Sequence, residues 1–267
     1  MDFLTFFQYT FIQKAFLAGS FIAILCSILG LFLVLRNLSL VGDGLSHVTF
    51  GAIALGLFLG ISPFWTGLIM AVIGAIFLFL LSEKTRVFAD TAIGIVSSAG
   101  IAIGIMLASL SNGFNVDLLS YLFGSILAIS SQEMWLSIFL CLLVLLLIFL
   151  FFHELFSLTF DEMYAKASGI PVKWFHLFLL ILTALSVVLS VRIVGVMLVS
   201  ALLILPATTS LQIARSFKQA ILFTSLFAIS SVILGVSISF LLDVPTGAMI
   251  VLINLGFFIL SLLKKYI

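Results

Sequence analysis

Long apolar runs separated by short polar breaks dominate the pattern of this chain. The runs predict helices near 13–35, 40–60, 62–82, 90–110, 133–153, 174–192, 195–214, 219–241 and 246–263. Each run is close to the ~20 residues that an α-helix needs to cross the hydrocarbon core of a bilayer. The runs lack the alternating polarity of barrel strands. The pattern therefore predicts an all-α polytopic transmembrane helical bundle, with about eight or nine spans in a single domain, residues 1–267.

One apolar segment is too short to cross the membrane. It covers residues 118–130 and follows the polar loop 111–117. A segment of this length reads as a re-entrant helix or a short external helix. We therefore expect one non-spanning helix between the fourth and fifth spans.

The composition excludes a soluble domain. Hydrophobic residues make up 64% of the chain and charged residues 8%, with a mean hydropathy of +1.46. Soluble domains carry roughly 25% charged residues. The net charge of +1 comes without a basic patch, so no nucleic-acid partner is expected. Cys26 and Cys141 lie in apolar runs without a CxxC pair, which gives no support for a disulfide framework.

The distribution of basic residues predicts the orientation in the membrane. With the loop 83–86 in the cytoplasm, nine of the 11 basic residues fall inside and only Lys14 and Arg192 fall outside. Cytoplasmic loops carry this excess of lysine and arginine. The N-terminus lacks the basic start of a cleaved signal peptide, so the first apolar segment is expected to remain as a span. We expect an external N-terminus and a cytoplasmic C-terminus.

Asp43 and His47 are the residues most suited to chemistry inside this apolar chain. Ionisable groups within spans are costly and are functional candidates by default. At i and i+4 of a helix, their side chains meet on one face. Two plainer interpretations stay open: a hydrated pair near the boundary marked by Arg36, or an internal hydrogen bond that only packs helices. Small neighbours such as Gly42, Gly44, Ser46 and Gly51 would allow other helices or a second subunit to approach.

A carboxylate and an imidazole supply only half of a typical metal site. Zinc usually takes four ligands. Two copies of the chain facing a two-fold axis would supply two carboxylates and two imidazoles. Such a set suits Zn²⁺ or Mn²⁺ and does not suit Cu⁺, which prefers sulfur ligands.

The longest predicted internal loop contains a candidate docking helix in residues 160–170. Acidic residues suit its first turn, helix-forming residues its middle, and a glycine followed by Pro171 its end. The residues concerned are Asp161, Glu162, Ala165, Lys166 and Gly169. The segment is either a docking element for a cytoplasmic partner or a plain interfacial helix that links two spans.

Two further residues have open roles. Pro206 should kink its span, as a gate hinge or as a packing feature. Arg192 either snorkels to the outer surface, pairs with an outer acid or docks an external acidic partner. The chain has no phosphate-binding loop and no HExxH motif, so it is expected neither to hydrolyse ATP nor to act as a zinc protease.

Four blocks of sequence resemble the ABC-3 family of bacterial permeases for zinc, manganese and iron. The segment 35–47, LRNLSLVGDGLSH, is similar to the family signature, and residues 192–208 are similar to a second block. Residues 160–169 look like the coupling-helix region, and 120–125 like the external short helix. The four blocks occur in order and cover nearly the whole chain.

The resemblance implies a type II ABC importer-like permease in the bacterial cytoplasmic membrane. Such permeases pair as homodimers or with a similar chain, dock two copies of a separate ATPase on their coupling helices, and receive the ion from an extracytoplasmic binding protein. The family's pathway aspartate and histidine match Asp43 and His47. No permanently bound cofactor is implied.

The expected cargo is zinc, because the chain looks most like zinc-type members, with manganese or iron as the alternative. An ion-coupled secondary metal transporter is the competing class. It would need several acids within the membrane, and only Asp43, with Asp90 near a boundary, comes into question.

Overall fold

The structure, a computed structural model, describes residues 10–84, 88–110, 116–124 and 131–266, and it is helical in nearly all of them. The elements are α1 (Thr10–Leu35), α2 (Val41–Leu59), α3 (Pro63–Lys84), α4 (Ala89–Leu110), α5 (Val116–Phe123), α6 (Ser131–Leu150), α7 (Phe152–Phe160), α8 (Glu162–Ala167), α9 (Val172–Val194), the 3-10 turn η1 (Val196–Leu198), α10 (Val199–Ile213), α11 (Phe217–Leu242) and α12 (Thr246–Tyr266).

Within these ranges, 9 helices are long and apolar enough to cross a membrane. They correspond to the nine predicted spans, so the predicted fold class is confirmed. The largest shift is at the seventh span, where α10 begins at Val199 and not at residue 195. Gly195 there takes a left-handed φ of 87°, which ends α9 and starts a 3-10 turn before the helix resumes. Hydropathy does not report such a break because the residues on both sides are equally apolar.

Helix α2 lies in a close three-helix packing with α3 and α4. A side chain at Gly44 would meet Ile93, and one at Gly51 would meet the backbone of Gly100. These two contacts advance together along both helices, so α2 and α4 run parallel. Small residues allow helix backbones in a membrane to approach this closely.

The other half of the bundle is built around α1, which packs against α6, α9, α10 and α11. A Cβ at Gly30 would collide with the main chain of Leu203, so α1 and α10 also touch backbone to backbone. Helices α11 and α12 form a hairpin closed by a buried polar contact. In that contact the Asn254 amide Nδ2 donates to the Ser231 hydroxyl at 2.9 Å.

The bundle has two different ends. The α8 end carries α7, α8, the α1–α2 turn, the last turn of α3 and the first turn of α4. The α5 end carries α5, the α2–α3 turn and the α9–α10 break. Gly195 packs against the end of α5, where a Cβ would lie 2.5 Å from the Gly124 nitrogen. The predicted short helix 118–130 is seen as Val116–Phe123, and residues 125–130 lie outside the described ones.

Candidate metal path and coupling surface

Asp43 and His47 face each other on α2. The distance from His47 Nε2 to Asp43 Oδ2 is 3.6 Å, longer than a good hydrogen bond. The His47 side chain is 20% exposed and that of Asp43 is 42% exposed. The Ser46 hydroxyl donates to the main-chain carbonyl of Asp43 at 2.8 Å, so it leaves the carboxylate oxygens to other partners. The pair is thus positioned by the helix, and its donor atoms are not used up in packing it.

The pair lies inside the bundle, although Arg36 comes shortly before it in sequence. Val48, the neighbour of His47, packs against Gly74 in the middle of α3. Gly100 in the middle of α4 packs against the main-chain carbonyl of His47, with only 2.5 Å available for a Cβ. His47 therefore lies near the middle of the bundle, and Asp43 lies one turn closer to the α8 end. This depth argues against a surface position for His47.

A cavity of about 170 Å³ lies beside His47 and extends toward the α5 end. Its walls are otherwise apolar; they comprise His47, Phe50, Ile101, Ile105, Leu122, Val196 and Met197. Leu122 belongs to α5 and Met197 to η1, so elements at the α5 end line the same cavity as His47. His47 is the one charged or strongly polar side chain in this lining.

One copy of the chain does not complete a metal site in the described ranges. No group of three or more His, Cys, Asp or Glu side chains lies close enough together to hold an ion there. Two ligands with nitrogen and oxygen donors fit Mn²⁺, Fe²⁺ or Zn²⁺ in type, but they fall short in number.

The segment 160–170 contains a short capped helix. Asp161 is the N-cap of α8, and its carboxylate accepts a hydrogen bond from the Tyr164 N–H at 2.9 Å. Gly169 follows the helix with φ 82°, and the Ile170 N–H donates to the Ala165 carbonyl at 3.0 Å. This is the hydrogen-bond pattern of a glycine-terminated helix end.

The predicted docking residues occupy different faces of α8. Ala165 is fully buried against the bundle, whereas Glu162 and Lys166 form an exposed ion pair at 2.7 Å. Met163 is 82% exposed and Tyr164 is 63% exposed. Together with Phe160 on α7, these two side chains make an apolar surface at the α8 end, which we call the α8 surface.

The position of Arg36 in the structure could not be predicted from the sequence. Its Nη2 lies 3.7 Å from Glu162 Oε2, and its side chain is 10% exposed. Burial lowers the pKa of the Arg36 guanidinium. The hydrogen bond from Lys166 is the main cause that lowers the pKa of Glu162. In the sequence, Arg36 stands out only as a single arginine seven positions before Asp43. Only the fold shows that Glu162 is its partner.

Pro206 lies within α10, which continues as a helix through it. The hydroxyls of Thr208 and Thr209 donate to the carbonyl of Leu205 at 3.0 and 2.7 Å. The carbonyl that the missing proline N–H would serve is that of Leu202, one turn earlier. These hydroxyls therefore do not replace the lost bond, and the hinge role of Pro206 stays a prediction. Arg192 lies on α9 near the α5 end, and its side chain is outside the described ones.

The fold and the site together define a class: a membrane permease with a carboxylate–imidazole pair, Asp43 and His47, on one face of a helix in its bundle. The chain belongs to the ABC 3 transport family, whose model matches residues 8–265. It is the membrane-spanning subunit of an ATP-driven metal importer of the bacterial plasma membrane, and ATP hydrolysis takes place in a separate subunit.

Three relatives illustrate the similarity. The manganese transport system membrane protein MntC of Halalkalibacterium halodurans is 36% identical over 266 residues, which cover 98% of this chain and 91% of that protein. The chelated iron transport system membrane protein YfeD of Yersinia pestis is 36% identical, with 98% and 88% covered. The solved structure of PsaBC from Streptococcus pneumoniae in complex with Fab matches with a TM-score of 0.87 at 34% identity, with 97% and 95% covered.

The expected preference for zinc has no support in these relatives, whose names refer to manganese and iron. The physical reason for the weak expectation is plain. Carboxylate and imidazole ligands accept all three ions, so Asp43 and His47 do not discriminate among them.

Proposed function

We propose that this permease imports manganese, with iron as the second candidate, through a path that contains Asp43 and His47. The observation that carries the proposal is an open aspartate–histidine pair on α2, with His47 near the middle of an apolar bundle and Asp43 in the first turn of the helix. The manganese preference is supported by relatives that share about the whole chain. Nitrogen and oxygen donors without thiolates favour an ion that must be released again.

The full ligand set comes from two copies of the chain. Each copy contributes one carboxylate and one imidazole, and neither copy has a third ligand nearby in its described part. The half-exposed side chain of Asp43 is available to such a partner. When the copies move apart, the four ligands separate and the ion loses its coordination.

Docking takes place at both ends of the bundle. The α8 surface receives the ATPase, since exposed apolar side chains on a short capped helix suit a groove on a partner. An extracytoplasmic metal-binding protein delivers the ion at the α5 end, and Arg192, in the last turn of α9, is the proposed contact residue. The apolar cavity above His47 lies between this entrance and the pair.

The α8 end faces the cytoplasm. Six basic residues near helix ends lie there, namely Arg36, Lys84, Lys166, Lys173, Arg215 and Lys218, whereas Lys14 and Arg192 lie toward the α5 end. This distribution follows the positive-inside tendency. A reporter that is active only in the cytoplasm, fused after residue 267, should be active; activity of a periplasmic or external reporter at the same site would reverse the orientation.

Uptake with competing metals tests the cargo. A bacterial strain that lacks its own manganese and iron importers receives this permease together with its ATPase and binding protein. We expect accumulation of radioactive Mn²⁺ that unlabelled Mn²⁺ suppresses at lower concentration than Fe²⁺ or Zn²⁺. Stronger suppression by Zn²⁺ would restore the zinc assignment.

Cross-linking tests the shared site. In a chain with Cys26→Ala and Cys141→Ala, an Asp43→Cys substitution should give a disulfide-linked dimer on mild oxidation. Asp243→Cys is the matched control, because Asp243 is an exposed acid that follows α11 at the opposite, α5 end of the bundle. Equal cross-linking at both positions would contradict the shared site.

A further inference from the structure

Arg36 is a buried charge that joins two functional segments. It lies in the turn after α1, and its Nη2 is 3.7 Å from Glu162 on α8. Its Nη1 is buried and has no hydrogen-bond partner among the described residues. An unpaired buried donor on a charged group is costly. Such a cost is tolerated where a second arrangement of the same groups can satisfy it.

The turn that follows this arginine is stiff. Asn37 has a left-handed φ of 56°, and the Leu38 N–H donates to the Leu33 carbonyl at 2.8 Å. The Val41 N–H donates to the Leu38 carbonyl at 3.1 Å, and both side chains are buried. Because the turn is held by these bonds and buried side chains, a displacement of Arg36 would move the whole turn and the start of the next helix with it. The next element is α2, which carries Asp43 in its first turn.

The Glu162 carboxylate lies near two cations, an exposed lysine at a short distance and a more buried arginine at a longer one. Lys166 holds it at 2.7 Å from an exposed position, and such surface pairs stabilise little. Arg36 approaches from the buried side with a planar fork suited to two parallel bonds with a carboxylate. A shift of α8 by about 1 Å would bring Glu162 to the ~2.8 Å of a charge-assisted hydrogen bond with Arg36.

We propose that the Arg36–Glu162 ion pair mechanically links α8 to the metal ligands. This inference rests on the proposed function, in which the ATPase docks on α8. When the ATPase moves α8, the pair tightens, the 36–41 turn shifts, and the start of α2 carries Asp43 relative to the partner copy. Arg36 is therefore a positioning residue that acts through Asp43 and does not contact the ion.

The test is the amount of metal moved per ATP. The complete transporter, with permease, ATPase and binding protein, is reconstituted in liposomes, and Mn²⁺ uptake and ATP hydrolysis are measured in the same vesicles. Glu162→Gln should lower Mn²⁺ moved per ATP by at least about fivefold, the lower bound of typical coupling between sites, while ATP hydrolysis continues. A merely structural role would lower both together or neither.

The control is Lys173→Gln, which removes the ion pair with Glu83 at the same end without touching α8. It should keep the wild-type ratio. An unchanged ratio in Glu162→Gln would overturn the link. If the wild-type transporter itself fails to import Mn²⁺ with ATP, the proposed function fails, and the link fails with it.

A double-mutant cycle separates a link from two independent effects. Arg36→Gln, Glu162→Gln and the double variant should show a similar loss, because each breaks the same connection. Losses that multiply in the double variant would overturn the proposal. Arg36→Lys keeps the charge and loses the fork, so it should retain part of the ratio. If Arg36→Gln does not fold, Glu162→Gln, at an exposed carboxylate, still decides.

Discussion

Two polar pairs inside this bundle differ in whether they join two helices. On the α11–α12 hairpin, Asn254 is 1% exposed and donates both to the Ser231 hydroxyl and to the Ile250 carbonyl, at 2.9 and 3.2 Å. On α2, Asp43 and His47 stand 3.6 Å apart, partly exposed. The first pair closes a contact between helices. The second is held in place but left open, as a pair of ligands for a passing ion should be.

The largest expected effect is a loss of uptake without a loss of stability when Asp43 or His47 is removed. Asp43→Ala and His47→Ala should each reduce Mn²⁺ uptake by at least about tenfold, since even outer-shell partners of a metal cost about 10–100-fold. Thermal unfolding should change little, because neither side chain closes a helix contact. Asp90→Asn and His153→Ala, which alter an exposed acid and an exposed histidine, are the matched controls. Normal uptake in both pair variants would remove them from the path.

Gly100→Ala should be the most damaging change in the contact between α4 and the main chain of His47. The added Cβ would lie 2.5 Å from the His47 carbonyl oxygen. Over-packing of this kind costs about 1–3 kcal/mol. We expect lower thermal stability in detergent together with lower uptake per folded permease. Gly94→Ala, on the same helix with open space around it, should leave both values unchanged; equal effects would refute the packing argument.

Asn254→Leu should have the opposite effect from Asp43→Ala: it should lower stability and leave uptake unchanged. Interhelical hydrogen bonds in membranes average about 0.6 kcal/mol, so a modest fall in unfolding temperature is expected. Uptake per folded permease should remain at the wild-type value. A loss of uptake without a loss of stability would show that the closed pair also serves transport.

The smallest effect is expected from pH at the α8 end. The pKa of Glu162 is lowered, chiefly by the Lys166 hydrogen bond. A carboxyl with a lowered folded pKa stabilises its contacts above the ordinary unfolded pKa and loses that effect as the pH falls through the folded value. Between pH 8 and about pH 5, the Glu162 contacts should therefore persist. Mn²⁺ moved per ATP in wild type and Glu162→Gln should keep a constant proportion over this range; convergence within it would contradict the assignment.

The fold could be predicted largely from hydropathy, because a chain with so few charges has few places to end a helix. The α9–α10 break could not, since Gly195 is one glycine among 19 and only its packing against α5 distinguishes it. The proximity of Asp43 and His47 on one face of α2 was also predictable, from their i,i+4 spacing. The depth of the pair was not, because Arg36 reads as a surface residue in sequence but is buried in the fold.

The link between Arg36 and Glu162 shows a second limit of the sequence. These residues are far apart in the chain, and each has an ordinary local explanation, one as a boundary arginine and the other as a first-turn acid. Only the packing of α8 against the α1–α2 turn makes them a pair. The expectation of zinc lacks support for a related reason: ligand types constrain a class of ions, and they do not select one ion within that class.

The backbone contact between Gly51 and Gly100 has a consequence for how the spacing of α2 and α4 can change. No layer of side chains separates the two helices at this point, so no side chain there can be lengthened or shortened in small steps. Any residue larger than glycine would push the two backbones apart at once. The spacing is therefore either kept or changed abruptly, and fine adjustment near His47 has to come from other contacts.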